Sequence, residues 1–134
     1  MTVLEDRIEE FVGRRVWAVV GASNDPAKFG HKIVRNLHDA GYVVYPVNPR
    51  RGDVAGLKAY PSLADLPEKP DVVDIVVPPT VAEKVAREVE ALGLTRVWMQ
   101  PGSESEEAIR FCEENGIAVV HGACAMLNKR TWEQ

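Results

Sequence analysis

The 134-residue chain is poor in cysteine and contains no long apolar run. Its two cysteines, Cys112 and Cys124, are too few for a disulfide framework and lack the spacing of zinc ligands. No run of about eighteen apolar residues is available to form a transmembrane helix. The first ten residues carry acids where a signal peptide needs a basic and then an apolar stretch. We therefore expect a cytoplasmic protein.

The composition is that of an ordinary soluble domain, with 46% hydrophobic and 27% charged residues. The length suits one hydrophobic core. We expect a single domain over residues 1–134, with a leading helix at about 2–13 and a core at about 14–127. Thr2 and Glu5 have the spacing of a capping box at the start of that helix.

The net charge of −4 disfavours nucleic acid or an anionic membrane as a partner. The charge is unevenly distributed, however. The segment from Lys28 to Lys58 holds six basic and two acidic residues, a net +4, whereas the rest of the chain holds ten basic and eighteen acidic residues, a net −8. Two interpretations stay open at this point, chance clustering on a solvated surface and a binding site for an anion.

Apolar strands alternate with amphipathic helices along the chain. The predicted strands are 16–20, 42–47, 72–77, 96–99 and 117–120. The predicted helices between them are 29–40, a helix capped by Thr80 that ends at Gly93, and a helix capped by Ser103 that ends at Gly116.

This alternation predicts an α/β fold, a doubly wound parallel sheet with helices on both faces. Right-handed crossovers favour the strand order 2-1-3-4-5 for the five predicted strands. The strands are continuous apolar runs, as burial on both faces requires. Asp74 is the exception, and it suggests that the third strand is still emerging there.

Ligands of such sheets bind at the carboxyl ends of the strands, where the strand order reverses. The loop after the first strand contains Gly21, Ser23, Lys28 and Gly30. Gly21 permits a sharp turn and Gly30 a close approach of the following helix, whose N-terminus attracts anions. The loop matches neither G-x-G-x-x-G nor a P-loop. Taken alone, it fits a phosphate site and an ordinary structural turn equally well.

The second strand ends in Asn48, Pro49, Arg50 and Arg51, where an NAD site needs an acid for the ribose hydroxyls. Arginine instead suits a phosphate monoester on the ribose, because its planar fork binds two oxygens. Two ligands fit, a 2′-phosphorylated dinucleotide such as NADP and a 3′-phosphorylated ADP such as coenzyme A. A simple solvated loop is the remaining alternative.

The third strand ends in Val77, Pro78 and Pro79, which carry no ionisable group. The two prolines form a rigid apolar wall suited to packing against adenine or ribose. They serve equally well to begin the helix that Thr80 is expected to cap.

Six short motifs occur in a familiar order. They are VGAS (20–23), YPVNP (45–49), GxxxYPSL (56–63), DLP (65–67), VPP (77–79) and VWMQPG (97–102). Over roughly residues 10–127 the chain resembles the CoA-binding domain family, whose small stand-alone members are similar to the N-terminal domain of the succinyl-CoA synthetase α subunit and of NDP-forming acyl-CoA synthetases.

The resemblance implies a Rossmann-like fold and coenzyme A as the cofactor. The residues that it implies are Gly21, Ala22, Ser23 and Gly30 at the diphosphate, Asn48 and Pro49 at the ribose phosphate with Arg50 or Arg51 at the 3′-phosphate, and Val77 and Pro78 on the adenine side. Cys124 falls near a cysteine of the synthetase GPNC stretch, but here that stretch is HGAC (121–124).

The synthetases also need a domain with a phosphorylated histidine and an ATP-grasp subunit, for which this chain has no room. We therefore expect a protein that binds coenzyme A or acyl-CoA and is not catalytic on its own, with a role as carrier, sensor or regulatory subunit left open. The alternatives are an NADP-binding oxidoreductase or regulatory domain, and the CoA-binding part of a multi-chain acyl-CoA ligase. A protein partner or homo-oligomer also stays open, and no metal site is expected.

Few residues are candidates for catalysis. His121 and Cys124 could form a pair for thiol chemistry, but packing and a turn explain them more simply. His31 is expected at the surface, with contact to the phosphate loop as the alternative. Cys112 and Phe29 lie on the apolar faces of their predicted helices and are expected in the core.

Overall fold

The computed structural model describes residues 2–50 and 52–132 and consists of a central sheet, a small hairpin and flanking helices. The elements are α1 (Val3–Val12), β1 (Val16–Val20), α2 (Phe29–Asp39), β2 (Val43–Val47), β3 (Asp53–Val54), β4 (Leu57–Lys58), a 3₁₀ turn (Leu63–Asp65), β5 (Val72–Ile75), α3 (Pro79–Ala91), β6 (Arg96–Met99), α4 (Glu106–Glu114), β7 (Ala118–Val120) and α5 (Ala125–Asn128). No helix in the described ranges is both long and apolar enough to cross a membrane.

The central sheet has five parallel strands in the order β2-β1-β5-β6-β7, which confirms the predicted doubly wound fold. The order reverses between β1 and β5, because the chain passes outward from β1 to β2 and then returns to β5. The crevice expected of a doubly wound sheet therefore lies above the carboxyl ends of β1 and β5.

Each face of the sheet has its own core. Trp17 and Trp98 lie on the face covered by α1, α2 and α5, with ring centroids 5.7 Å apart. The opposite face packs against α3 and α4 and contains Val73, Met99 and Cys112. Burial on both faces explains why the strands are continuous apolar runs.

The predicted helix ends are partly confirmed. The hydroxyl oxygen of Thr2 accepts the N–H of Glu5, as the capping box predicts. Gly41, Gly93 and Gly116 each follow a helix with a positive φ, the conformation that favours glycine.

Two predicted N-caps are wrong. Helix α3 begins at Pro79 with Pro78 as its N-cap, so Thr80 lies inside the helix. Proline suits the first helical position because its fixed φ matches the helix and its missing N–H would have no partner there. Helix α4 is capped by Ser105, which accepts the N–H of Ala108, and Ser103 is buried in the preceding turn.

The expectation that the third strand is emerging at Asp74 is also wrong. Strand β5 ends at Ile75, two residues before the predicted end, but Asp74 is fully buried and pairs with Val19 and Trp98. Neither carboxyl oxygen has a hydrogen-bond partner among the described residues. Burial raises the pKa of Asp74 well above its usual range, because the charged form loses its hydration there.

The segment after β2, expected to be a loop, adds to the sheet edge. Strands β3 and β4 form an antiparallel hairpin, after which Tyr60 pairs with Val47. The backbone of Tyr60 accepts the N–H of Asn48 and donates to the carbonyl of Pro46, with both distances 2.9 Å. This pairing covers part of an edge that would otherwise offer unpaired backbone groups.

The last described residue, Trp132, folds back onto the turn between α2 and β2. Its backbone N–H donates to the carbonyl of Ala40 at 2.7 Å. Its ring meets the Tyr42 ring edge-on, with the ring centroids 5.7 Å apart. The guanidinium of Arg15 lies 5.4 Å from the ring centroid. A larger residue at Gly41 would collide with Trp132.

The buried carboxyl of Asp74 predicts an unusual pH dependence of stability. Its pKa is raised by folding, so its neutral form favours the native state at low pH, and this advantage is lost as the pH rises above the unfolded value of about 3.9. Relative to Asp74→Asn, the free energy of unfolding of the wild type should fall by up to about 1.4 kcal/mol per pH unit above pH 4. Urea unfolding of both proteins between pH 4 and 8 measures this difference.

Asp53→Asn is the matched control, because Asp53 lies exposed in β3. It should follow the wild-type pH profile. Parallel profiles for the wild type and Asp74→Asn would contradict a raised pKa of Asp74.

Candidate functional site

Three loops meet above the carboxyl ends of β1, β2 and β5. The N–H of Gly21 donates to the carbonyl of Val47, which joins the end of β1 to the end of β2. A side chain at Gly21 would collide with the backbone of Val76, just after β5. A Cβ at Gly52 would lie 3.4 Å from the side-chain amide nitrogen of Asn24. The second loop, which follows β2, therefore lies close to the first loop, which follows β1.

Gly21 and Gly30 determine how closely α2 approaches the sheet. Gly21 has a φ of +98°, which glycine adopts without strain. Gly30 has no room for a side chain, since a Cβ there would overlap the carbonyl oxygen of Gly21 and lie 3.2 Å from the Cα of Ala22. The predicted close approach at Gly30 is therefore present, and it is made to the backbone of the loop itself.

The first loop and the start of α2 carry free backbone donors. The N–H groups of Ser23, Asn24, Phe29 and Gly30 have no hydrogen-bond partner in the described part of the chain. Donors at a helix N-terminus attract anions, and the helix dipole adds to the attraction.

Side chains within the loop hold it in shape. The hydroxyl oxygen of Ser23 accepts the N–H of Asp25, and the Asp25 carboxylate accepts the N–H of Ala27. Nδ1 of His31 lies 3.1 Å from the carbonyl oxygen of Ser23, so this nitrogen carries the proton and donates it. His31 is half-buried and fixes the loop, so the expectation of a surface histidine is wrong. The position of His31 in the first turn of the predicted helix, just after the loop, was the sequence feature that could have indicated this contact.

Two basic side chains of this region are exposed and unpaired. Lys28 is the N-cap of α2, and Arg50 lies in the second loop. Neither forms an ion pair with any residue that the structure describes. Both charges therefore stay available to a ligand.

The second loop is shaped by Asn48. Its side-chain oxygen accepts the N–H of Arg50 at 2.8 Å, which forms a tight turn around the exposed Pro49. Arg51 lies outside the described residues, so its expected role stays a prediction.

The third loop forms one wall of an open cleft of about 470 Å³. Val77, Pro78 and Pro79 line this wall, and Phe29 faces them from α2. Phe29 is 46% exposed, so its predicted place in the core is wrong. As the first residue of α2, it lines the open cleft instead.

The cleft continues over the end of β6, where Pro101 and Ser103 line it. These residues were not predicted for the site. The motif VWMQPG marked the segment, but nothing in it showed that the turn after β6 faces the third loop.

His121 and Cys124 do not form a hydrogen-bonded pair in the described structure. His121 is exposed, whereas the sulfur of Cys124 accepts from the buried amide of Gln100 at 3.3 Å. The side-chain oxygen Oε1 of Gln100 also accepts the backbone N–H of Ala125. Cys112 is fully buried, and burial raises its pKa to about 11, consistent with its expected place in the core.

A second open groove, of about 620 Å³, lies beside His121. Glu106, Glu113 and Glu114 line it together with a single arginine, Arg110. Its acidic lining would repel a phosphorylated ligand. The cleft at the carboxyl ends of β1 and β5 is therefore the better candidate for an anionic nucleotide.

Comparison with known proteins identifies relatives of the whole fold. The sequence pattern of the CoA binding domain matches residues 15–130. The α subunit of an ADP-forming acetate–CoA ligase II from Pyrococcus furiosus is 32% identical over 128 residues, 87% of this chain and 28% of the relative. The protein YneT of Bacillus subtilis is 33% identical over 107 residues, 80% of this chain and 79% of the relative. The chain thus spans about a quarter of the ligase subunit.

Solved structures agree with these relatives. A hypothetical protein from Pyrococcus horikoshii OT3 superposes with a TM-score of 0.88 at 34% identity, covering 95% of this chain and 89% of that one. The apo form of a dinucleotide-forming acetyl-coenzyme A synthetase 1 from Ca. Korarchaeum cryptofilum has a TM-score of 0.72 at 35% identity, covering 84% of this chain and 27% of that one.

Substituting Gly30 by alanine should separate α2 from the first loop. The added Cβ overlaps the Gly21 carbonyl, which is backbone and cannot rotate away, so we expect the free energy of unfolding to fall by about 1–3 kcal/mol. Gly13→Ala is the matched control, because Gly13 has a φ of −80° and its Cβ would lie 3.3 Å from the nearest atom. Urea unfolding compares the two variants. Equal small losses would contradict the close contact between Gly30 and Gly21.

Proposed function

The chain belongs to the CoA-binding domain family, and from this premise we propose that it binds coenzyme A or acyl-CoA in the cleft at the carboxyl ends of β1, β2 and β5. One observation carries the proposal: a glycine-shaped loop with free N–H donors lies against a second loop with an unpaired arginine. A ligand with a diphosphate and a separate phosphate on its ribose matches both loops. We keep the cytoplasm as the proposed location, on the sequence alone.

The diphosphate is assigned to the first loop. The free N–H groups of Ser23, Phe29 and Gly30 donate to its oxygens, and Lys28 supplies a point charge. Ala22 is buried beneath the loop, where its small side chain leaves room for the contact between Gly30 and Gly21. The Asp25 carboxylate accepts the backbone N–H of Ala27, a hydrogen bond within the loop.

The ribose phosphate is assigned to the second loop. Arg50 offers a planar fork that can bind two phosphate oxygens, and Arg51 is expected to share the task. The Asn48 side chain holds the backbone of Arg50 in a tight turn around Pro49. Val77 and Pro78 provide apolar contact for the adenosine.

The ligase relatives favour a second role for the same binding activity. In the Pyrococcus furiosus subunit the related domain makes up about a quarter of a longer chain. This chain could act as the CoA-binding part of a multi-chain acyl-CoA ligase whose other chains supply catalysis. In both roles we propose that it is not catalytic alone.

Titration calorimetry with coenzyme A and 3′-dephospho-coenzyme A tests the binding site. Removing the ligand's 3′-phosphate should weaken binding by about ten- to a hundredfold, the range for a hydrogen bond to a charged group. The double variant Arg50→Ala/Arg51→Ala should lose the same factor for coenzyme A and bind both ligands equally. If the wild type binds the two ligands with equal affinity, the phosphate assignment is refuted.

Arg35→Ala is the matched control for charge. Arg35 belongs to the same basic segment, but it is exposed on α2 and lies 3.8 Å from Asp39. It should retain the wild-type preference for coenzyme A. NADP is included in the titration, because its 2′-phosphate would bind to the same arginine. Tighter binding of NADP than of coenzyme A would overturn the proposal.

The purified chain should release no ADP when mixed with ATP, acetate and coenzyme A. The reason is that the chain spans only about a quarter of the ligase subunit. A coupled ADP assay measures this, with a complete ADP-forming ligase as the positive control. ADP release by this chain alone would contradict a non-catalytic role.

A further inference from the structure

The far end of the cleft differs in character from its phosphate end. Pro79 and Pro101 supply exposed apolar surface there, and the side chain of Phe29 faces them from the phosphate end. None of the residues that line the cleft in the described structure carries a charged side chain. The basic side chains discussed above, Lys28 and Arg50, belong to the loops at the other end.

The two ends are continuous. Phe29 directly precedes Gly30, and the side chain of Val77 approaches Gly21, so the cleft begins at the loop assigned to the diphosphate. Adjacent strands are about 4.8 Å apart, so the turn after β6 lies about 10 Å across the sheet from the end of β1. The extended pantetheine arm of coenzyme A is long enough to cross this distance.

An acidic residue lies at the far rim. The carboxylate of Glu104 accepts the N–H of Gly102 at 2.8 Å, and Gly102 itself lines the cleft. This bond uses a backbone donor that an anionic group of a ligand would otherwise require.

We propose that the far end of the cleft holds the acyl group of a CoA thioester and selects uncharged, apolar acyl groups over those that carry a carboxylate. The inference rests on the proposed function, since it requires coenzyme A in the cleft. A short alkyl chain buries apolar surface against Phe29 and Pro101. A dicarboxylic acyl group instead brings its charge toward Glu104, without a basic side chain among the lining residues to pair with it.

Calorimetric titration with coenzyme A, butyryl-CoA and succinyl-CoA at low ionic strength tests the inference. Butyryl-CoA should bind at least as tightly as coenzyme A. Succinyl-CoA should bind more weakly than butyryl-CoA, by a factor of about five or more. The gap should narrow in high salt, because salt screens the repulsion between exposed charges.

Two variants locate the selectivity. Glu104→Gln should bring the affinity for succinyl-CoA close to that for butyryl-CoA, and Phe29→Ala should weaken butyryl-CoA more than coenzyme A. Glu90→Gln is the control, because Glu90 is exposed near the end of α3, at the opposite edge of the sheet. It should leave the gap at its wild-type size.

Equal affinity of the wild type for the two thioesters, or a gap that Glu104→Gln leaves unchanged, overturns the inference. Binding of coenzyme A with the expected phosphate dependence leaves the proposed function standing in that case. If the wild type binds none of the three ligands, the proposed function fails and the inference fails with it.

Discussion

The contact between the start of α2 and the end of β1 is the constraint on which the site depends. Gly30 lies directly against the backbone of Gly21, and neither position has space for a side chain. This contact holds the start of the helix, with its unpaired N–H groups, at the carboxyl end of β1. The loops after β2 and β5 then add positive charge on one side and apolar surface on the other.

Much of the fold could be predicted from local sequence. Continuous apolar runs identified all five strands of the sheet, and glycines such as Gly41 and Gly93 marked where helices end. The strand order followed from the handedness of crossover connections, which leaves few alternatives. The position of the phosphate loop followed in turn, because a doubly wound sheet places its crevice at one edge only.

The failures share a physical cause, which is that the deciding contact is remote in sequence or has a local competitor. Thr80 has the spacing of a capping box, but the proline before it already begins the helix. Asp74 lies within an apolar run that predicts burial, but its carboxyl also fits an exposed strand end, and only the pairing with neighbouring strands decides between the two. His31 and Phe29 lie in the first turn of one helix, where the path of the preceding loop decides which side chain faces inward. The helix propensities of the residues carry no information about the path of that loop.

The docking of Trp132 determines where the end of the described chain lies. Its partners Ala40, Tyr42 and Arg15 all precede strands of the parallel sheet, so they lie at the amino edge. The cleft lies at the carboxyl edge, on the other side of the molecule. A fluorophore, a surface tether or a fused protein attached beyond Trp132 would therefore begin on the side away from the cleft and leave its entrance open.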